Sequence, residues 1–140
     1  MTSVSLPAQA QQALSEFQQY KSWEQRSRLL LRWAEHLEPF PSEAQCETNR
    51  VLGCETKVWL TAHQCKGVWH FQASSEARLL RGLLALLLVR INGISATELA
   101  QLDVQDWFQQ LGLAHQISSS RNNGLNAVIQ RIQKLMQAPV

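Results

Sequence analysis

Hydrophobic spacing switches twice along this 140-residue chain, from helical to alternating near residue 57 and back to helical near residue 75. Ala10, Ala13, Leu14 and Phe17 fall at i, i+3, i+4 and i+7, the spacing of a helix with one buried face. Ser22-Trp23-Glu24-Gln25 has the capping-box form and predicts a second helix, with Trp23, Leu30, Trp33 and Leu37 inward and Pro39 and Pro41 as its stop. The period then becomes two. Lys57 to Ala62 places Val58, Leu60 and Ala62 on one face and Lys57, Trp59 and Thr61 on the other. Val68 to Gln72 alternates as well and brings Trp69 and Phe71 together. The link from His63 to Gly67 is short enough for a hairpin, and Asn49 to Gly53 is a candidate third strand.

After Ser75 the helical period returns. Leu79, Leu83, Leu86 and Leu87 build an apolar helix ending near Asn92-Gly93. Ser95-Ala96-Thr97-Glu98 is a second capping box, Asp103 can cap a helix around Trp107 and Phe108, and Gly112 can end it. Leu125, Val128, Ile129, Ile132, Leu135 and Met136 form the stripe of a last helix. The expectation is a single α+β domain over residues 1–140, a small antiparallel sheet of about three strands packed against several helices. Within it, residues 1–41 form a helical hairpin, 43–73 the sheet with the Cys54 loop, and 75–137 the C-terminal helices.

Composition narrows the partners. Apolar residues make up 45% and charged ones only 17%, with polarity supplied by 17 glutamines, so a disordered chain is excluded. A net charge of +2 gives no field for nucleic acid or an anionic membrane. The longest apolar run, Leu83 to Val89, is seven residues. A membrane span needs about 20. Met1 to Ala10 show no basic segment followed by an apolar stretch, so no secretory signal is visible. Cys46, Cys54 and Cys65 are odd in number and cannot all pair within one chain. These features point to a cytoplasmic protein with reduced thiols, one of which is a candidate for reactivity.

Cysteines and histidines crowd the centre of the chain, but Cys46, Cys54, His63, Cys65 and His70 include no CxxC or HxxxH pair. There is no phosphate-binding glycine loop and no serine nucleophile elbow. The thiols remain. Cys54 follows Gly53, which can take a positive φ and carry the side chain to a loop tip, directly before the strand near Lys57. A tip thiol is open to partners, and its thiolate is the nucleophile. The competing reading is an inert packed cysteine. Cys46 and Cys65 are read as structural or incidental.

The stretch from Asn49 to Leu60, with Gly53-Cys54 followed by Val58-Trp59, resembles the signature of the SufE/CsdE sulfur-acceptor proteins. Ser75 to Leu83, with Glu76 and Arg81-Gly82-Leu83, is similar to the family's acidic, Lys/Arg-Gly-Leu helix, and Ser118 to Ala127 to its Ser-Arg-x-x-Gly-Leu segment. Trp23-Glu24 sits where a similar pair opens the second helix. The resemblance runs from about Tyr20 into the last helix. It implies helices packed on a three-stranded antiparallel sheet, and a covalent carrier in which Cys54 accepts sulfur from the persulfide of a pyridoxal-phosphate-dependent cysteine desulfurase. Desulfurase stimulation and delivery to iron–sulfur assembly or another acceptor follow from it, as does a cofactor that belongs to the partner, with none in this chain.

Supporting roles are carried over to Gly53, Glu76 and Arg121. Arg121 lies near the start of the last helix, where the dipole disfavours a cation by roughly 0.3–1 kcal/mol, and a solvated arginine or a local ion pair competes there with a docking role. Glu76 suits a helix start on dipole grounds alone. The sequence departs from the family in Ala73-Ser74, where Gly-Asp is common, and in Thr56, where serine is common. Two other readings compete. A metal or iron–sulfur scaffold would use Cys46, Cys54, Cys65 and a histidine, and a thiol peroxidase would oxidise Cys54. Trp59 and the apolar faces fit a core or a weak homodimer contact, and the core is preferred.

Overall fold

The computed structural model describes residues 7–51, 57–115 and 123–137. Helices α1 (Ala8–Gln18) and α2 (Trp23–Trp33) come first, and a 3-10 turn, Ala34–His36, continues α2. Two more 3-10 turns, Ser42–Ala44 and Glu47–Asn49, lead to the hairpin of β1 (Val58–Cys65) and β2 (Val68–Ser75). Then follow α3 (Arg78–Ile91), α4 (Ala96–Gln101), α5 (Val104–Gln110) and α6 (Asn123–Gln137). The α+β class holds. Among the described residues the sheet has two antiparallel strands, and the expected third contributes one bridge, Arg50 to Trp59.

Local signals placed the helix ends well. Ser22 accepts from the Gln25 N–H at 3.2 Å, Asp103 accepts from the Asp106 N–H at 3.1 Å, and Ser95 with Glu98 forms a complete reciprocal box. Gly112 closes α5 in a Schellman arrangement: its N–H donates to Gln109 and the Leu113 N–H to Phe108, at 3.0 and 2.8 Å, with φ of +78° at the glycine.

Helix α3 is apolar nearly all round because it is the hub, packed against α1, α2, β2 and α6. Leu83, Leu84, Leu86, Leu87 and Ile91 are all buried, and the core draws on every helix named and both strands. The α2–α3 crossing is close enough that a Cβ at Gly82 would run into the Leu30 backbone. Two stripe residues are corrected by this crossing. Trp23 and Leu79 are 45% and 41% exposed, because both lie in first helical turns beyond it. Ser75 belongs to β2, and α3 begins three residues later.

The hairpin differs from its expected outline at the tip. Strand β1 runs through His63, Gln64 and Cys65, and the turn is only Lys66-Gly67, both at positive φ (54° and 80°). Two residues in left-handed conformations match the twist of the flanking strands. Trp69 and Phe71 do stand together, stacked at 5.6 Å. Trp59, on the face opposite Val58 and Leu60, is 8% exposed, so Trp59 and Leu60 are both buried although they point to opposite faces. Among the described residues no helix is long and apolar enough to cross a membrane.

Candidate functional site

The base of the hairpin brackets the candidate cysteine. Val51, 3% exposed, donates its N–H to the Val58 carbonyl at 2.8 Å, and Arg50 bridges Trp59. These bonds fix where the chain leaves the core and where it returns. Gly53 and Cys54 lie between these anchors, outside the described residues, and so does Arg121, ahead of α6.

Lys57, on the return side, is tied to the end of β2. Its carbonyl accepts from the Ser75 hydroxyl at 2.9 Å and from the Glu76 N–H at 3.3 Å. Ser75 is 5% exposed, and its oxygen also accepts from the Ala77 N–H at 3.1 Å, just before α3. Glu76 is exposed and sits one residue before the N-cap of α3 rather than within its first turn. Residues 57 and 76 therefore share one end of the sheet, which brings Glu76 to the stem of the Cys54 segment. Sequence reasoning did not pick out Ser75 for this role. A serine beside a glutamate carries no signal until the strand register is known.

On the outgoing side, the 3-10 turn Glu47–Asn49 is held by two side chains. Asn49 donates to the Ala44 carbonyl at 2.9 Å, and Arg131 of α6 reaches the Thr48 carbonyl at 3.5 Å. Arg131 thus links the last helix to the approach of the segment.

The other thiols stand elsewhere. Cys46 is exposed at the start of the Glu47–Asn49 turn, with the Asn49 amide 3.7 Å from its sulfur. Cys65 is exposed at the far end of β1, seven residues beyond Val58 and so about 23 Å away at the strand rise. His63 pairs across the hairpin with His70, whose Nε2 lies 2.6 Å from the Glu38 carboxylate. Both members of that contact are about half exposed, where such a pair contributes little. Among the described residues no three His, Cys, Asp or Glu side chains are grouped so as to hold a metal ion.

One buried charge lies away from the stem. Arg90 is 7% exposed, with its guanidinium 6.0 Å from the Trp107 ring. Burial lowers its pKa, and Glu98 partly opposes the shift. The Trp107 indole N–H donates to the Leu86 carbonyl at 3.1 Å, so α5 is fixed on α3 beside this arginine. Two open cavities of about 470 and 460 Å³ lie among α3, α4 and α6 and beside Glu38 and His70, and neither is lined by Glu76 or Val51.

Comparison with known proteins matches residues 11–136 to the family model "SufE: Fe-S metabolism associated domain". The sulfur acceptor protein CsdE of Escherichia coli (strain K12) is 39% identical over 111 residues, 79% of this chain and 76% of that protein. An uncharacterised SufE-like protein of Rhizobium etli is 32% identical over 131 residues, 91% of this chain and 88% of the relative. The solution structure of a hypothetical protein from Thermus thermophilus superposes with a TM-score of 0.72 at 24% identity, over 95% of this chain and 96% of that one. At that identity the likeness is one of fold.

Proposed function

The chain belongs to the SufE family, and on that premise we propose that it is a sulfur acceptor in which Cys54 carries the sulfur. The observation that carries this reading is the similarity to CsdE, a protein named for sulfur acceptance, over most of both chains. The donor is the persulfide of a pyridoxal-phosphate-dependent cysteine desulfurase. The Cys54 thiolate attacks the outer sulfur of that persulfide. A new S–S bond forms at Cys54, the donor's S–S bond breaks, and the donor cysteine leaves as a thiolate. The oxidation state of the transferred sulfur is unchanged, so no outside oxidant or reductant enters. The rate follows thiolate fraction and access, as in disulfide exchange.

Several features support this assignment. The segment holding Gly53 and Cys54 is anchored at both ends, by Val51 to Val58 and by Lys57 to Ser75 and Glu76, so its ends are set by the buried base of the sheet. Glu76 stands at that stem and Arg121 shortly before α6, and both are assigned to partner docking. Removal of sulfur from the donor stimulates the desulfurase, and the load passes to iron–sulfur cluster assembly or another acceptor. The family's association with Fe–S metabolism agrees with that destination. The pyridoxal phosphate stays with the partner, and the exchange suits a reducing cytoplasm.

The test is desulfurase turnover on cysteine with and without this protein, with intact mass read in the same samples. Stimulation and one added sulfur are expected for the wild type, Cys46→Ser and Cys65→Ser, and neither for Cys54→Ser. Absence of both effects with several desulfurases overturns the reading.

A further inference from the structure

The two outer edges of the hairpin are treated differently. Along β2 the edge is closed by the chain after α3. The Asn92 side-chain amide donates to the Phe71 carbonyl at 2.9 Å and accepts from the Phe71 N–H at 2.7 Å, which imitates a paired strand residue. The Gly93 N–H reaches the Trp69 carbonyl at 3.4 Å, the Ala96 N–H reaches Gly67 at 3.0 Å, and Ser95 bridges Val68. Along β1, among the described residues, the edge is closed only near its start, by Val51 and Arg50.

The register says which groups are left. Cys65 and Val68 flank a two-residue turn and so form a hydrogen-bonded pair. Alternation from there makes His63–His70 and Thr61–Gln72 bonded pairs and turns the N–H and C=O groups of Ala62 and Gln64 away from β2. The Val58 carbonyl that receives Val51 is in phase with this assignment. Among the described residues nothing bonds Ala62 or Gln64 on that side.

We propose that the Ala62–Gln64 edge of β1 takes an extended, acidic segment of another polypeptide as an added strand, in the lane that Arg50 begins. Main-chain donors and acceptors at the strand repeat are matched best by another main chain. Charge selects the kind. Residues 57–75 include Lys57 and Lys66 and no aspartate or glutamate. The carboxylate of Glu38 is bound to His70 and Gln72, on β2 rather than on β1. Arg50 and Arg131 stand at the mouth of the lane, and Glu47 there is already within 3.5 Å of Arg50. A second copy of this chain would bring one basic hairpin against another, so an acidic segment fits better. The inference does not rest on Cys54.

The test uses the full chain and a capped peptide of alternating valine and glutamate, with amide exchange read residue by residue. Millimolar peptide slows exchange at Ala62 and Gln64 by at least about tenfold and leaves Phe71 unchanged, since its N–H is already bonded. The same peptide with lysine in place of glutamate, or with alternate backbone nitrogens methylated, has no such effect. In Gln64→Pro, which removes one outward donor at an edge position that tolerates proline, the slowing is lost while β2 pairing persists. No slowing at Ala62 and Gln64, or equal slowing by the lysine peptide, overturns the proposal. Slowing that grows with protein concentration without peptide also overturns it and assigns the edge to a second copy.

Discussion

At the base of the hairpin Val58, Leu60, Ala73 and Ser75 are each no more than 5% exposed, whereas at its tip every residue from His63 to Gly67 is exposed. The base is pressed on α3 and holds the two ends of the Cys54 segment, and the tip carries Cys65 in open solvent. Each end has a thiol near it in the sequence, Cys65 at the tip and Cys54 in the segment between Val51 and Lys57. What differs is the anchor: the ends of the Cys54 segment are tied to the buried base of the sheet, whereas Cys65 sits beside an exposed turn. The largest expected effect tests this directly: Cys54→Ser takes sulfur uptake to background while Cys65→Ser leaves it at the wild-type level, measured by intact mass after incubation with a desulfurase. Equal loss in both variants would erase the distinction.

The next effect concerns stability. Phe71 is wholly buried against the core, and its replacement by alanine is expected to cost about 3–5 kcal/mol in chemical denaturation. Gln64→Ala, at the exposed tip, should fall within about 0.5 kcal/mol of wild type. A smaller and more specific effect is expected at Ser75. Ser75→Ala removes the hydroxyl that joins the Lys57 carbonyl to the Ala77 N–H, with a loss of about 1–2 kcal/mol. Because that hydroxyl positions the stem of the Cys54 segment, sulfur uptake should slow while the final load stays complete, and Ser75→Thr should restore the rate. A stability loss with an unchanged uptake rate would assign Ser75 to the fold alone.

The same contrast explains what was legible in the sequence. Caps at Ser22, Ser95 and Asp103 were readable because each depends on three or four neighbouring residues. The alternation at the base was readable because burial enforces it. The end of β1 was not, since His63, Gln64 and Cys65 are polar or small and look like loop, yet backbone pairing asks nothing of their side chains. Among the described residues the third strand comes to one bridge, and on its N-terminal side the Glu47–Asn49 turn bends the chain just before Arg50. Of the candidate site, the sequence named Cys54, Gly53, Glu76 and Arg121. Only the register could bring Glu76 beside Lys57, nineteen positions earlier, and only the tertiary packing could bring Arg131 to Thr48.

The smallest expected effect sits at the tip and sharpens the contrast from the stabilising side. Lys66 holds φ at +54° in the first position of a two-residue turn whose second position is Gly67. A lysine there bears the left-handed penalty of an ordinary side chain, whereas asparagine adopts that region readily and Asn-Gly is the preferred pair for this turn. Lys66→Asn is therefore expected to stabilise the protein by about 0.5–1 kcal/mol, read as a higher denaturation midpoint with an unchanged slope. It touches nothing at the base, so sulfur uptake by Cys54 should be unaffected. A tip change that altered uptake would mean that the hairpin passes strain along its length, and the separation between a buried base and an exposed tip would then fail.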